Sequence, residues 1–285
     1  MSRKIIVSLL GTIALSACSP VGSSSGLDSS NNDQSSNPST PTAPTTPSTP
    51  VPPVPQAPPP VVARPSNAAN LTICPGNDTE LGLDVSDYDP NTNWTKVAAS
   101  NRGFAFVKAT EGSSYINPSF AADWANAKAA GVVRGAYHFF HADADPTAQA
   151  NTFLKTIGKL GLNDMPPVFD WEVTDNQSNA TQIARAKTFL QLVEAATGRI
   201  PIVYTSASFF NPLGNPQGFE RYPLFVAEYK VACPKIPPPW SKWTFWQYAD
   251  TGNGGISGVT NSDIDQDFFV GTLAQLAQFV LTGSF

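Results

Sequence analysis

All 30 aromatic residues of this 285-residue chain (17 Phe, 7 Tyr, 6 Trp) lie at or after Tyr88. A stretch without large rings cannot bury enough apolar surface to offset the entropy of ordering it. The foldable part is therefore confined to the last ~200 residues, a size at which one domain buries roughly 70% of the surface its unfolded chain exposes. Such a domain needs no metal or disulfide to hold a core.

The N-terminal residues carry a different message. Residues 1–18 read as an export signal: Arg3 and Lys4 precede an apolar run from Ile5 to Ala17, and small residues precede Cys18. The run is too short to span a bilayer. Leu15-Ser16-Ala17-Cys18 resembles the bacterial lipoprotein box, which implies cleavage and a lipid anchor on Cys18; an ordinary cleaved signal is the alternative. Ser19 after the Cys is similar to lipoproteins sorted to an outer membrane, where the host has one. Residues 19–66 hold 13 of the 27 prolines, with Asp28, Asp33 and Arg64 the only charges. This composition predicts a disordered Ser/Thr/Pro-rich linker that holds a domain, residues 67–285, away from a membrane. A Pro-rich ligand for a partner domain is the other reading. With Cys18 lipidated, Cys74 and Cys233 remain as an even pair in an exported domain, which favours a disulfide over two free thiols.

Composition excludes some functions. Net charge is −5 and only 14% of residues are charged, with no basic cluster after the signal, so nucleic acid is not an expected partner. Leu83-Asp84-Val85-Ser86 follows the first strand pattern where a Gly-rich phosphate loop would be needed, so no nucleotide cofactor is expected. His138 and His141 lie near Asp143 and Asp145, but they follow a strand-like run and lack His-Glu-x-x-His spacing, so no metal is expected. A monomer is expected.

After Asn67, short β-branched runs alternate with Ala-rich helix-period segments, the pattern of βα units and a parallel sheet. Strands are predicted at residues 81–85, 104–108, 132–138, 167–171, 202–205, 224–227, 244–247 and 263–265, and helices at 118–130, 146–160 and 179–197. Helices fade toward the C-terminus. The expected α/β fold is thus a modified (β/α) barrel of eight strands.

Acids mark the predicted strand ends: Asp84, Glu111, Asp170 with Glu172, and Asp265 with Asp267. In a barrel these ends gather on one face. Asp170 and Glu172 are two apart and so share a side. Crowded carboxyl groups do not all ionise at neutral pH, and one becomes a usable acid while another supports a cation-like centre, the requirement for cleaving a glycosidic bond. Tyr137, Phe139, Phe140, Trp171, Tyr204, Trp243, Trp246 and Tyr248 lie near strand ends as candidate platforms for sugar faces.

The ordered motifs Gly82-Leu83-Asp84-Val85-Ser86 with Trp94, Phe106-Val107-Lys108-Ala109-Thr110-Glu111-Gly112, Gly135-Ala136-Tyr137-His138-Phe139-Phe140, Val168-Phe169-Asp170-Trp171-Glu172, Trp243-Thr244-Phe245-Trp246-Gln247-Tyr248 and Ile264-Asp265-Gln266-Asp267 resemble those of the glycoside hydrolase family 25 lysozymes, the Chalaropsis-type muramidases. The resemblance implies hydrolysis of the β-1,4 bond between N-acetylmuramic acid and N-acetylglucosamine in peptidoglycan. It implies Glu172 as proton donor, Asp170 assisting the substrate's acetamido group (with Asp170 as an enzyme nucleophile the alternative), and Asp84 and Asp265 in the same acidic site, where like-charge repulsion is expected to raise the proton affinity of Glu172. Tyr137, Glu111, Trp171, Tyr204, Trp246 and Gln247 are the expected substrate-binding residues. Asp89 stands where a Gln is usual and Asp267 where Asn is common. Inserted residues 211–219 and 233–240 are expected to reshape the cleft rim. Two other functions fit the same residues: a non-catalytic wall-binding lipoprotein, and a glycosidase for another N-acetylated polymer such as chitin.

Overall fold

The computed structural model describes residues 61–252 and 254–283. The export signal, Cys18 and residues 19–60 of the expected linker lie outside them. The end of that linker is docked on the domain. Arg64 donates its backbone N–H to the Pro239 carbonyl (3.0 Å) and a guanidinium N–H to the Trp240 carbonyl (2.9 Å). Asn215 Nδ2 donates to the Ser66 carbonyl at 3.0 Å. The packed chain therefore starts before residue 67, because Arg64 supplies donors that a Pro-rich segment lacks.

Among the described residues the strands are β1 (Leu71–Thr72), β2 (Glu80–Val85), β3 (Phe104–Glu111), β4 (Tyr115–Ile116), β5 (Val133–Phe139), β6 (Val168–Asp170), β7 (Ile202–Thr205), β8 (Leu224–Ala227), β9 (Lys235–Ile236), β10 (Phe245–Ala249) and β11 (Asp265–Phe269). The helices are α1 (Trp94–Ala99), α2 (Phe120–Ala129), α3 (Pro146–Ile157), α4 (Asn179–Thr197), α5 (Ala207–Phe210) and α6 (Leu273–Thr282). Local chemistry sets the helix limits. Ser178 caps α4 by accepting from the Thr181 N–H, and Gly198 ends it at φ +66°. Asp145 and Pro146 start α3.

The main sheet runs β2-β11-β10-β8-β7-β6-β5-β3 and closes through a β2–β3 pairing, giving an eight-strand barrel with β4 flanking β3. One feature departs from the expected parallel sheet. β11 is antiparallel to both β10 and β2. The connection from β10 contains Gly252, Gly254, Gly255 and Gly258, a composition that cannot build the crossover helix that a parallel return would use. β1 pairs with β9, and a Cys74–Cys233 disulfide joins the same two segments.

Side chains alternate across the barrel wall, except at register shifts between Lys108 and Thr110 in β3 and between Gln247 and Ala249 in β10. Phe104, Phe106, Val168, Ile202, Phe225, Phe245 and Phe269 point inward and form a buried plug of rings, with Phe106 5.1 Å from both Phe225 and Phe245. Two inward positions are glycines for a steric reason. A Cβ on Gly82 would fall 2.4 Å from the Phe104 ring, and one on Gly135 2.5 Å from Phe106. Outward residues such as Leu83, Val85, Ala136, Phe169 and Trp246 form the second core under the helices and loops. The inserted segments belong to this outer core rather than to the cleft rim: Phe210, Phe219 and Trp240 pack on one another, with Phe210–Trp240 ring centroids 4.7 Å apart.

Candidate active site

The ring plug fills one end of the barrel; polar inward residues take over at the other. A cleft there is lined by Asp84, Ser86, Tyr88, Phe106, Lys108, Tyr137, Phe139, Val168, Asp170, Glu172, Tyr204, Phe225, Gln247 and Asp265. The parallel strands deliver these groups from their carboxyl ends. Asp265 comes from the first residue of reversed β11, which pairs with Asp84.

Inward alternation brings Asp170 and Glu172 into the cleft together, as expected from their spacing. Their environments differ: Asp170 is 8% exposed, whereas Glu172 stands open at the mouth. Burial, and then repulsion from Glu172, push the Asp170 carboxyl well above the usual range, with Lys108 opposing. The Glu172 carboxyl is also raised, by desolvation within the cleft against the pull of Lys108. This corrects the expectation that Asp84 and Asp265 repulsion does the raising; crowding by the cleft walls is the cause. Together the pair shares protons rather than ionising independently. Asp170 Oδ1 is buried with no hydrogen-bond partner among the described residues.

Gln247 anchors the other side. Its Nε2 donates to Asp84 Oδ2 at 2.6 Å, and its Oε1 accepts from the hydroxyls of Tyr204 (2.7 Å) and Tyr229 (2.5 Å). Burial, then Asp265 and Asp267, raise the Asp84 carboxyl well above its ordinary value. Burial and surrounding acids including Asp89 lift Asp265 to about 6. Below them Asp267 is fully buried, and neither carboxyl oxygen has a hydrogen-bond partner among the described residues. Asp89 lies outside the cleft lining, bound by the Ser86 N–H and Asn261 Nδ2.

Two expected substrate contacts need correction. Trp171 and Trp246 point outward, 0% and 3% exposed. Trp171 packs among Phe209, Phe210 and Phe219, and the Trp246 indole donates to the Glu228 carbonyl. Alternation requires this, because Asp170 and Gln247 beside them point inward. Glu111 reaches the rim with both oxygens engaged, one by Lys108 Nζ (2.6 Å) and one by His141 Nε2 (3.0 Å). Tyr137, Tyr204 and Gln247 do line the cleft. So does Phe139, one of the candidate sugar platforms, and Lys108 and Tyr88 join them without having been singled out as binding residues. Lys108 had a signal: it continues the inward series Phe104, Phe106 as a charge in an apolar strand.

The two histidines do not converge. His138 is buried behind the wall, where its Nδ1 accepts from Thr110 Oγ1 (2.7 Å) and its Nε2 donates to Gln149 Oε1 (3.1 Å). Burial drops its pKa to about 3, so it stays neutral. His141 lies at the rim between Glu111 and Asp175. Asp143 brings its carboxylate within 4.8 Å of the facing atoms of His141 and Asp175, but both ring nitrogens of His141 already face carboxylates, so the cluster is an ion-pair network.

A closed barrel whose carboxyl rim gathers paired acids beside tyrosines is the architecture of an acid–base glycosidase. Comparison with known proteins narrows this. The profile of glycosyl hydrolases family 25 matches residues 83–259. Lysozyme M1 of Streptomyces globisporus is 36% identical over 220 residues, covering 72% of this chain and 73% of that protein. The N,O-diacetylmuramidase of Chalaropsis sp is 33% identical over 203 residues, 66% of this chain and 96% of that protein. Among solved structures, the bacterial lysozyme from Streptomyces coelicolor superposes with a TM-score of 0.68 at 33% identity, covering 72% of this chain and 99% of that one. The chain belongs to glycosyl hydrolases family 25 and is a glycoside hydrolase of the lysozyme class.

Proposed function

We propose that the protein hydrolyses the β-1,4 bond between N-acetylmuramic acid and N-acetylglucosamine in peptidoglycan, with Glu172 as general acid and Asp170 assisting the substrate's acetamido group. The observation that carries this reading is the unequal carboxyl pair: a buried Asp170 with an unsatisfied oxygen beside a Glu172 open to the cleft mouth. Glu172 gives its proton to the glycosidic oxygen as the C1–O bond breaks. The acetamido oxygen bonds to C1, and Asp170 accepts the acetamido N–H on its free Oδ1; burial raises the Asp170 carboxyl, but that bond, with Lys108, favours its ionised form. Glu172, now a carboxylate, takes a proton from the water that reopens the ring. Asp84, Asp265 and Gln247 hold a negative, hydrogen-bonded wall opposite.

Digestion of peptidoglycan with the purified protein, reduction of the products and mass spectrometry test the bond cleaved. Muramitol ends are expected; glucosaminitol ends would overturn the assignment. Glu172→Gln, which keeps size but cannot donate a proton, is expected to lose roughly 100-fold or more in turnover while still binding glycan. Near-normal turnover in the folded variant removes Glu172 from the acid role.

The site of action proposed is the cell envelope, with the domain held on a lipid at Cys18 through the linker. Support comes from the lipoprotein-like Leu15 to Cys18 and the low-complexity segment after it. Stable residence requires more than one acyl chain. Cys18→Ala is expected to abolish labelling by a fatty-acid probe and release the protein from membranes; an unlabelled, soluble wild type would contradict the anchor.

A further inference from the structure

The rim network around His141 has a chemical requirement of its own. His141 Nδ1 lies 2.9 Å from Asp175 Oδ1 and Nε2 lies 3.0 Å from Glu111 Oε1. A carboxylate only accepts, so both contacts are hydrogen bonds only when both ring nitrogens carry hydrogen. The ring is held in place from its backbone: Gln149 Oε1 accepts the His141 N–H (3.0 Å) and Gln149 Nε2 donates to the His141 carbonyl (2.8 Å). The far oxygens of both carboxylates are also committed, that of Asp175 to the Ala142 N–H and that of Glu111 to Lys108 Nζ, each at 2.6 Å. A shift in the β3–β5 register between Lys108 and Thr110 is what sets Lys108 and Glu111, three apart, on one face. The chain of contacts therefore runs from the loop after β6, through His141, to a lysine in the cleft beside Asp170 and Glu172.

We propose that His141 is a positioning residue for the reaction: as an imidazolium it ties the Asp175 loop to Glu111, fixes Lys108 beside the carboxyl pair, and so sets the pH window of activity. The proposal rests on the reading of Asp170 and Glu172 as the catalytic pair. The other charged or titratable groups near the ring are Asp143, His138, which is neutral, and Arg185 on α4, whose guanidinium donates to the Ala142 and Ala144 carbonyls. Burial alone pulls the His141 pKa down, but the bonds to Asp175 and Glu111 outweigh it and the net shift is upward.

The sign of the effect follows. With the ring protonated, Asp175, His141, Glu111 and Lys108 sum to zero charge. Without that proton the network is net negative, and the neighbouring Asp170 and Glu172 bind protons more tightly. A neutral His141→Gln is therefore expected to move both limbs of the pH–kcat/KM profile to higher pH by about half a unit. Asp175→Asn removes a negative charge instead, and is expected to move both limbs to lower pH. A residue that merely supports the loop would lower activity without these opposite displacements.

A direct measurement needs no variant to be active. The chain has only two histidines, so long-range 1H–15N spectra of the wild-type protein resolve both rings, assigned by the loss of one set in His141→Gln. At pH 7 His141 is expected with both nitrogens protonated and a titration above that of free histidine, while His138 stays neutral with its proton on Nε2. A His141 ring that titrates at or below the free value overturns the proposal, as do limbs that stay put or move together in the two variants. An active Glu172→Gln enzyme would refute the catalytic assignment while leaving the His141 titration as it is, so the two failures are distinguishable.

Discussion

Asp84 and Asp265 are direct partners in the antiparallel β2–β11 ladder, and the Asp84 carboxyl hydrogen-bonds that of Asp265. Two carboxyl groups bond to each other only around a shared proton. Asp265, raised to about 6 from an unfolded value of 3.8, takes up a proton on folding between those limits. The stability this group contributes is present below about pH 4 and is lost as pH rises through 6. Asp265→Asn is therefore expected to unfold a few degrees above the wild type at pH 7 and near the wild type at pH 3, while losing about tenfold or more in turnover. Parallel pH dependences of the two melting temperatures would refute the shared proton.

Gln247 has its amide orientation fixed by three bonds, two hydroxyls donating to Oε1 and Nε2 donating to Asp84. Gln247→Glu replaces the donor to Asp84 with another acceptor in the same crowded space. It is expected to cost about 1–3 kcal/mol at neutral pH and less under acid, where the new carboxyl can hold a proton. Tyr229→Phe leaves one donor on Oε1 and is expected to cost about 1 kcal/mol. Chemical denaturation at pH 5 and pH 8 separates the two outcomes.

The Cys74–Cys233 bridge spans 159 residues and clasps the entry segment to the loop that carries β9. Trp243 strengthens the clasp by donating its indole N–H to the Ile73 carbonyl at 2.9 Å. Replacing both cysteines with Ala is expected to lower stability by roughly 2–5 kcal/mol. Peptide mapping without reductant should recover the joined peptides, and free thiols on both residues in folded, exported protein would contradict the bridge.

The barrel and its acids were legible because the strands carry a period of two that survives burial on both faces. Asp84, Lys108, Asp170 and Gln247 are polar insertions in otherwise apolar runs, and such residues must face a cleft or a partner. The same alternation excludes Trp171 and Trp246 from the cleft, since each follows or precedes an inward polar residue. Aromatic character alone does not separate a sugar platform from an outer-core ring. The reversal of β11 was hidden because direction is not written in a strand; it follows from the helix-poor Gly-rich connection before it. The Glu111 commitment to Lys108 and His141 was hidden for another reason. It depends on a register shift between two strands, which is a property of their pairing and not of either sequence.

Asp267 is the least reconciled acid in the barrel. It sits inward between Gln247 and Gly82, fully buried, with both oxygens unpartnered among the described residues. Burial, then repulsion from Asp265, raise its carboxyl well above the ordinary value, with Arg102 opposing. In the folded protein the group keeps its proton at pH values where the unfolded chain has lost it. Folding is therefore coupled to proton uptake above about pH 4, and the stability the protonated group allows declines as pH rises. Asp267→Asn has the same shape and no proton to lose. It is expected to leave stability unchanged near pH 3 and to raise it at pH 7 by on the order of 1 kcal/mol or more. Denaturant midpoints of the two proteins across pH 3 to 8 give the test. Midpoints that differ by a constant amount at every pH would mean that Asp267 does not titrate on unfolding, and that its burial is matched by a partner in solution.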